Sequence, residues 1–333
     1  IRSIVYYQAT GTKTRRTAFS APSYPKDQSL PNTLCHIALQ APVHRAALSD
    51  KVLPWVVAGC IIPDIPWILL RASLALGLAA PYTIRPYTTI QASLLFCTLF
   101  SAFLAQFSRQ PAATFAVLSG NCLFHLLLDA TQVKWANGVH LLVPFDWSAQ
   151  QFHLFDLDHP LGIPLTVAGL ITLLWCWPRI CRQQIWAAAM KPGRIVAAMT
   201  CLLLYLTGPL IFLDDLEQTN FHFLHTLEDK PARPGKYVEF DRVPYARATR
   251  TVTIFSGETI RLEEAIPHQF GSVSIRGRFV TADTVAVTDY RLHNRFRDPA
   301  SMLGIILACV LMLQTIILAL FSRFFPPDKG RQS

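Results

Sequence analysis

The stretch AATFAVLSGNCLFHLLLDA, residues 112–130, is long and apolar enough to cross a lipid bilayer as a single helix. A spanning helix needs about 20 mostly apolar residues. Inside this stretch His125 and Asp129 are four residues apart, so a helix presents both side chains on one face. This spacing is equally consistent with two interpretations. The histidine and the aspartate either pair only with each other in a buried position or act as two metal ligands.

The overall composition indicates a membrane protein. Of 333 residues, 52% are hydrophobic and 15% are charged, whereas a soluble domain carries roughly 25% charged residues. Another apolar stretch, 52–70, is interrupted by PDIP and predicts a half-span or a buried hairpin arm. The net charge of +9 indicates basic cytoplasmic loops rather than nucleic-acid binding. Further spans are predicted at 88–108, 161–178, 195–213 and 300–322.

The cysteines do not form a zinc-binding pattern. Most of the eight stand in apolar runs, and no CxxC or His-paired spacing is present. We therefore expect them to pack as small hydrophobic residues. They are Cys35, Cys60, Cys97, Cys122, Cys176, Cys181, Cys201 and Cys309.

The chain divides into four segments by composition. Residues 1–29 are polar and basic and lack the apolar core of a signal peptide, so we expect disorder there, in a segment that is either native or a foreign extension. Residues 30–213 are predicted to form a helical membrane domain that holds the metal site. Residues 214–298 differ in composition, and 299–333 are predicted to form a last transmembrane helix with a tail.

The inserted segment 214–298 predicts β structure outside the bilayer. KYVEFDRVPY, RTVTIFSGETIRLEE, GSVSIRGRFV and DTVAVTDYRLH are short runs rich in β-branched and aromatic residues, separated by turn residues. Four or five strands within 233–297 predict a small barrel of the OB type. The segment does not interleave aromatic and basic residues, which is the pattern typical of nucleic-acid binding. The predicted fold class is thus a mainly α, polytopic membrane helix bundle with a small inserted all-β barrel.

Two further ionisable residues lie in apolar surroundings. His36 stands in the first turn of a predicted apolar helix, with Asn32 or Thr33 as its N-cap, and Asp64 follows a proline within an apolar run. An ionisable group in such a position indicates a functional site. A plainer interpretation makes Asp64 a helix cap or the partner of Arg71 or Arg85.

The predicted helices bring these residues together. Helices 35–48 and 52–63, joined by a short polar turn, would form an antiparallel hairpin with His36 and Asp64 at the same level. His125 and Asp129, at the end of their own helix, can reach that level too. Two imidazoles and two carboxylates suit a divalent metal, with zinc favoured and manganese or iron as alternatives. Such a metal activates water and polarises a phosphoryl or carbonyl oxygen.

The motifs TLCHIAL, GCIIPDIPWIL and NCLFHLLLDATQ…NGVHLLVPF resemble the YdjM-like family of membrane-bound metal-dependent hydrolases over residues 31–147. That family has an early helix-borne histidine, a G-x-x-x-P-D motif, and an H-x-x-x-D motif followed by a G-v-x-l-l-x-P-f stretch. The resemblance implies that His36, Asp64, His125 and Asp129 are metal ligands.

The chain departs from the family at one motif. Where the family has H-R-x-x-T-H-S, this sequence has IRPYTTIQASLL, which keeps at most Arg85 and Ser93 and lacks both histidines. A second metal is therefore in doubt. The polar residues that could substitute are His140, His153, Asp156, Asp158 and His159, although a polar loop at the membrane face explains them as well.

Three functions compete. The favoured one is an integral membrane hydrolase that acts at the lipid–water boundary on a lipid-linked phosphoester or ester, with Asp64 or Asp129 as ligand or general base. The alternative is a non-catalytic membrane scaffold whose β module binds a protein partner. A transporter is disfavoured because the sequence contains no inverted repeat or chain of intramembrane acids. Neither the oligomeric state nor the substrate follows from the sequence.

The distribution of basic residues predicts the orientation. The short loops 179–194 and 323–333 are basic and fall on the same side as Arg109 and the hairpin tip with His44, Arg45 and Lys51. The positive-inside rule makes this side cytoplasmic. The metal site, the acidic stretch 146–159 and the β module then face the exterior, which is the periplasm if the protein resides in the inner membrane of a Gram-negative bacterium.

Overall fold

The computed structural model describes residues 32–47, 52–136, 138–156, 161–187, 189–219, 222–267, 271–293 and 297–324. The expectation for residues 1–29 lies outside this part of the chain, as do Asp158 and His159. The described residues confirm the predicted fold class, since they form a mainly helical protein with one small closed β-barrel.

Eleven helices form within the described residues. Proline stands in the first turn of α2, α3, α4, α6 and α8, where its missing N–H costs no hydrogen bond. The helices are α1 (Thr33–Ala47), α2 (Leu53–Gly59), α3 (Ile65–Ala75), α4 (Pro81–Gln91), α5 (Leu94–Ala105), α6 (Pro111–Ala130), α7 (Gly162–Cys181), α8 (Pro192–Ile211), α9 (Leu213–Thr219), α10 (His222–Glu228) and α11 (Arg297–Phe324).

Five helical segments of the described chain are long and apolar enough to cross a membrane, or six if α4 and α5 together count as one broken span. Four of them match predicted spans. The span predicted at 88–108 corresponds to the second half of this bent pair: α4 ends at Gln91, Ser93 is extended, and α5 leaves at 72° to α4. The five segments are Leu53–Ala75, Pro111–Ala130, Gly162–Cys181, Pro192–Ile211 and Pro299–Phe321.

The segment interrupted by PDIP forms a buried arm of spanning length. A single 3-10 turn, Ile62–Asp64, joins α2 to α3. The prolines cause no sharp kink because Pro63 stands in the 3-10 turn and Pro66 in the first turn of α3. Asp64 therefore lies in the middle of this largely apolar segment, at the end of the 3-10 turn.

The start of α1 is held in the centre of the bundle, between α7 and α11. A Cβ built at Gly169 of α7 would overlap the backbone carbonyl of Leu34, and one built at Gly304 of α11 would lie 3.0 Å from the Leu34 side chain. Small residues at helix contacts permit this close approach. Cysteines contribute to the same packing: Cys35, Cys60, Cys97, Cys122 and Cys176 are buried and form no disulfide, as predicted.

The barrel has five strands, as the sequence predicts. Its strand order is β3-β4-β5-β7-β6, closed by pairing of β6 with β3, and only β5 and β7 are parallel neighbours. A separate parallel pair, β1 (Gln132–Val133) and β2 (Phe155–Asp156), lies after α6. The barrel strands are β3 (Tyr237–Ala246), β4 (Thr251–Thr253), β5 (Thr259–Leu262), β6 (Ser272–Phe279) and β7 (Thr284–Leu292).

The barrel is docked on α4 and on the segment that follows α6. The Tyr82 and Phe255 rings meet edge to face with centroids 5.4 Å apart, and the Arg85 guanidinium lies 4.3 Å from the centre of the Phe255 ring. The Ala136 N–H donates to Glu239 Oε2 at 2.7 Å. These contacts place the barrel beside the ends of α1 and α6 that carry the ionisable residues.

Replacing Gly169 with alanine should destabilise the bundle, because the added methyl group meets backbone that cannot rotate away. Overpacking of this kind costs about 1–3 kcal/mol. Thermal unfolding of the full chain in detergent, followed by circular dichroism, should show a lower midpoint. The matched control is Gly120→Ala in α6, where a Cβ meets no atom within 4 Å. Equal midpoints for the two variants would contradict the close approach.

Candidate metal centre

His36 is fixed by the cap of α1. Asn32 Oδ1 accepts a hydrogen bond from the Cys35 N–H at 3.1 Å, so Asn32 rather than Thr33 is the N-cap. Asn32 Nδ2 also donates to Thr166 Oγ1 at 2.7 Å, which ties this cap to α7. The His36 ring, one turn further on, is 2% exposed.

Asp64 reaches the same level from the other arm of the predicted hairpin. The Thr33 hydroxyl donates to Asp64 Oδ2 at 3.3 Å. This contact joins the first residue of α1 to the end of the 3-10 turn after α2. The hairpin therefore places His36 and Asp64 at one depth, as the sequence predicts.

His125 and Asp129 complete the group from α6. The imidazole rings of His36 and His125 stack with centroids 3.7 Å apart and planes 3° from parallel. His36 Nε2 lies 3.4 Å from Asp129 Oδ1, and His125 Nε2 lies 3.7 Å from Asp64 Oδ1. The structure thus brings all four predicted residues together.

Three of these residues offer ligand atoms spaced as a metal requires. One atom each from His36, His125 and Asp129 lies within 4.8 Å of the other two, so this buried group could hold a metal ion. In a tetrahedral site with bonds of about 2.1 Å, two ligand atoms lie about 3.4 Å apart. The separation between His36 Nε2 and Asp129 Oδ1 equals that value, and small side-chain rotations would close the others.

Hydrogen bonding fixes the tautomer of His125. Its Nδ1 lies 2.9 Å from the Cys60 carbonyl oxygen, which only accepts, so Nδ1 carries the proton. In the neutral ring Nε2 therefore presents a lone pair toward Asp64. In metal-bound histidines the other ring N–H usually donates a hydrogen bond of this kind, which fixes the orientation of the ring. On the other ring, Nδ1 of His36 is buried and makes no hydrogen bond within the described chain.

Two partners of Asp129 were missed by the sequence reasoning. Lys134 Nζ lies 3.0 Å from Asp129 Oδ2, and Gln132 Nε2 donates to Asp129 Oδ1 at 2.8 Å. Both follow α6 directly, in a segment without helical periodicity that gave no pattern to interpret. Their proximity in sequence to Asp129 was the only available signal.

Of the substitutes proposed for the missing family histidines, His140 and His153 lie within the described residues and do not join the group formed by His36, His125 and Asp129. Burial lowers the pKa of His140 to about 4, and its Nδ1 lies 3.1 Å from the Trp147 carbonyl oxygen, so the ring is neutral at pH 7. His153 is exposed. Asp156 stands in β2, which pairs with β1, and Ser93 is buried at the start of α5.

A polar cavity of about 340 Å³ lies in front of the carboxylates. Asp64 and Asp129 line it, together with basic residues from three parts of the chain and Ser301 of α11. Arg71 also lines it and is exposed, so the cavity reaches the molecular surface. The candidate metal group is therefore accessible to a small molecule, which a purely structural polar cluster does not need. The basic residues are Arg71, Arg85, Lys134 and Arg242.

Comparison of the chain with protein-family models, with curated proteins and with solved structures finds no match.

The purified full chain should retain about one divalent metal ion per molecule after dialysis, measured by inductively coupled plasma mass spectrometry. His36→Gln should reduce this content to background, because it removes one of the three ligands. His153→Asn is the matched control, since His153 is exposed and asparagine tolerates its positive φ. Metal-free wild-type protein, or unchanged content in His36→Gln, would exclude the site.

Proposed function

We propose that the protein is an integral membrane, metal-dependent hydrolase that acts at the lipid–water boundary on a phosphoester or ester. The support comes from the chemistry of the buried group, from its accessibility through the polar cavity, and from apolar helices that could cross a bilayer. The resemblance of residues 31–147 to the YdjM-like hydrolases points to the same activity.

One observation carries this proposal. His125 Nε2, which carries a lone pair, lies 3.7 Å from Asp64 Oδ1, while the same ring stacks on His36. Two acceptors that face each other in buried surroundings repel unless a proton or cation lies between them. A divalent metal held by His36, His125 and Asp129 would supply that cation and take the His125 lone pair as a ligand, with Asp64 beside it as a base. Zinc suits two imidazoles and a carboxylate best, with manganese or iron as alternatives.

The two aspartates have different surroundings and therefore different proposed roles. Asp129 is oriented by Gln132 and Lys134, which suits a fixed ligand. Asp64 has one hydrogen bond, from Thr33, and lines the cavity, which suits a general base. In hydrolysis the oxygen of water bonds to phosphorus or to the carbonyl carbon, and the bond to the alcohol oxygen breaks. Asp64 takes the proton that water loses and returns it to that alcohol oxygen.

The alternative, a non-catalytic scaffold, is favoured by one contact. Lys134 already pairs with Asp129 at 3.0 Å, and an ion pair of this kind can satisfy a buried carboxylate without a metal. In that case the β module would bind a protein partner, and the polar group would serve only the packing of the bundle.

Hydrolysis of p-nitrophenyl phosphate or p-nitrophenyl octanoate by the metal-loaded protein should fall about 100-fold or more in kcat in the Asp64→Asn variant, because a general base is lost. Metal content should stay close to that of the wild type. EDTA should abolish the activity and added Zn²⁺ should restore it. Asp214→Asn, at an exposed position on α9, is the control. Failure of the metal-loaded wild type to cleave either compound would favour the scaffold.

We further propose that the metal group and the barrel face the exterior of the cell, which is the periplasm in a Gram-negative bacterium. Arg109 Nη2 donates to Gln184 Oε1 at 2.6 Å, so the basic loop after α7 and the loop before α6 lie together. At the opposite end, Asn32 at the start of α1 contacts Thr166 in α7. The positive-inside rule assigns the basic end to the cytoplasm.

Labelling of single cysteines in intact cells tests this orientation. Each cysteine is introduced into a variant of the protein that has no other cysteine. A membrane-impermeant maleimide should modify Arg261→Cys on the barrel and spare Gln184→Cys in the loop after α7. Permeabilised cells provide the control for accessibility, because both positions should then react. The reverse pattern would invert the topology.

A further inference from the structure

We infer that the polar cavity and an apolar cavity beside it bind one amphiphilic phosphate ester, whose phosphate lies in the polar cavity. This rests on the proposed hydrolase function and narrows its substrate from an ester or phosphoester to a phosphoester. The inference also gives the barrel a role, because the barrel contributes to both cavities.

The charge of the polar cavity suits an anion. Four basic side chains and three carboxylates, including Asp241, line it among the described residues, so a divalent metal would raise its formal net charge from about +1 to about +3. Arg85 Nε is buried and makes no hydrogen bond within the described chain. Guanidinium groups match the tetrahedral oxygens of phosphate through paired hydrogen bonds. An uncharged carboxylic ester would leave the net positive charge of the cavity uncompensated.

The barrel contributes one of these cations through a bulge. The pairing of β3 with β6 shifts register between Phe240 and Val243, and Arg242 adopts a positive φ of 53°. The bulge is supported by Ser274, whose hydroxyl donates to Asp241 Oδ1 at 2.8 Å and accepts from the Arg242 N–H at 3.1 Å. Bulges redirect side chains next to active sites. Here the bulge directs Asp241 and Arg242 into the polar cavity of the helical domain.

The second cavity, of about 430 Å³, adjoins the first and suits an apolar group. The two cavities share Arg85, Gly138, His140, Asp241 and Arg242, so Arg85 and Arg242 stand at their boundary. The remaining lining is largely apolar and comes from α10 and the barrel: Phe223, Leu224, Leu227, Val243, Ile254 and Phe255. A ligand with a phosphate at one end and hydrocarbon at the other fits this division.

Isothermal titration of the EDTA-treated and the metal-loaded full chain in detergent tests the inference with three probes. Dihexanoyl phosphatidic acid carries both chemical groups, glycerol 3-phosphate carries only the phosphate, and dihexanoylglycerol carries only the hydrocarbon. Dihexanoyl phosphatidic acid should bind with an affinity at least about tenfold higher than that of either of the other two compounds. The EDTA-treated arm avoids turnover, and metal loading should strengthen binding of both phosphates.

Variants assign the two ends of the ligand. Arg242→Gln and Arg71→Gln should each weaken both phosphate compounds by about tenfold or more, because each removes a charge-assisted contact. Phe223→Ala should weaken phosphatidic acid alone. Arg261→Gln, exposed on β5 and outside both cavities, is the matched control. Circular dichroism verifies that each variant is folded. If Arg242→Gln does not fold, Arg71→Gln still tests the inference, because Arg71 is exposed.

The outcomes separate this inference from the proposed function. Equal affinity for phosphatidic acid and glycerol 3-phosphate would contradict the inference that the ligand is amphiphilic. The ligand would then be a soluble phosphate ester. Metal binding without affinity for either phosphate compound would overturn the inference alone. Binding that depends on Arg242 in a protein that holds no metal would support the inference and overturn the hydrolase.

Discussion

The structure depends on placing two imidazoles and two carboxylates in contact inside an apolar helix bundle. Each of these groups would lose several kcal/mol if it were buried without partners. The stacking of His36 on His125 and the two imidazole–carboxylate contacts let the groups satisfy one another. This arrangement requires the start of α1, the end of α6 and the turn after α2 to lie at one depth, and the rest of the helical packing follows from that requirement.

Small residues and caps make this convergence feasible. Gly169 allows α7 to approach the backbone of Leu34, and Asn32 both caps α1 and binds Thr166 on α7. The first turn of α1 is thus held on several sides, which keeps the backbone of His36 at the level of the group. A site held this rigidly suits metal binding, where ligand atoms must keep their positions within a few tenths of an ångström.

The barrel completes the surroundings of the site. The insertion is not independent of the helices, because contacts with Tyr82, Arg85 and Ala136 place it beside the polar group. The bulge at Asp241 and Arg242 then enters the same cavity as Asp64 and Asp129. The insertion therefore contributes one of the four cations that line the cavity, while the other three and the candidate metal group come from the helical domain.

The sequence alone determined the elements and the principal residues. Apolar runs of about 20 residues formed four of the five helical segments long enough to cross a membrane, and period-2 runs of β-branched residues formed the five strands of the barrel. An ionisable residue in an apolar helix stands out from its neighbours, which is why His36, Asp64, His125 and Asp129 could be selected without a structure. The bend of 72° between α4 and α5 could not be anticipated, because the residues around Ser93 remain apolar and only backbone dihedrals reveal the break.

The tertiary structure decided which polar residues outside the helices belong to the site. Lys134 and Arg242 stand in segments where basic residues are ordinary, since a surface lysine or arginine looks the same in sequence as one that lines a cavity. The place of Arg242 depends on contacts between segments more than 100 residues apart, such as the hydrogen bond from Ala136 to Glu239 of the barrel. Local periodicity carries no information on such contacts, because it reports which face of an element is apolar and not what that face meets.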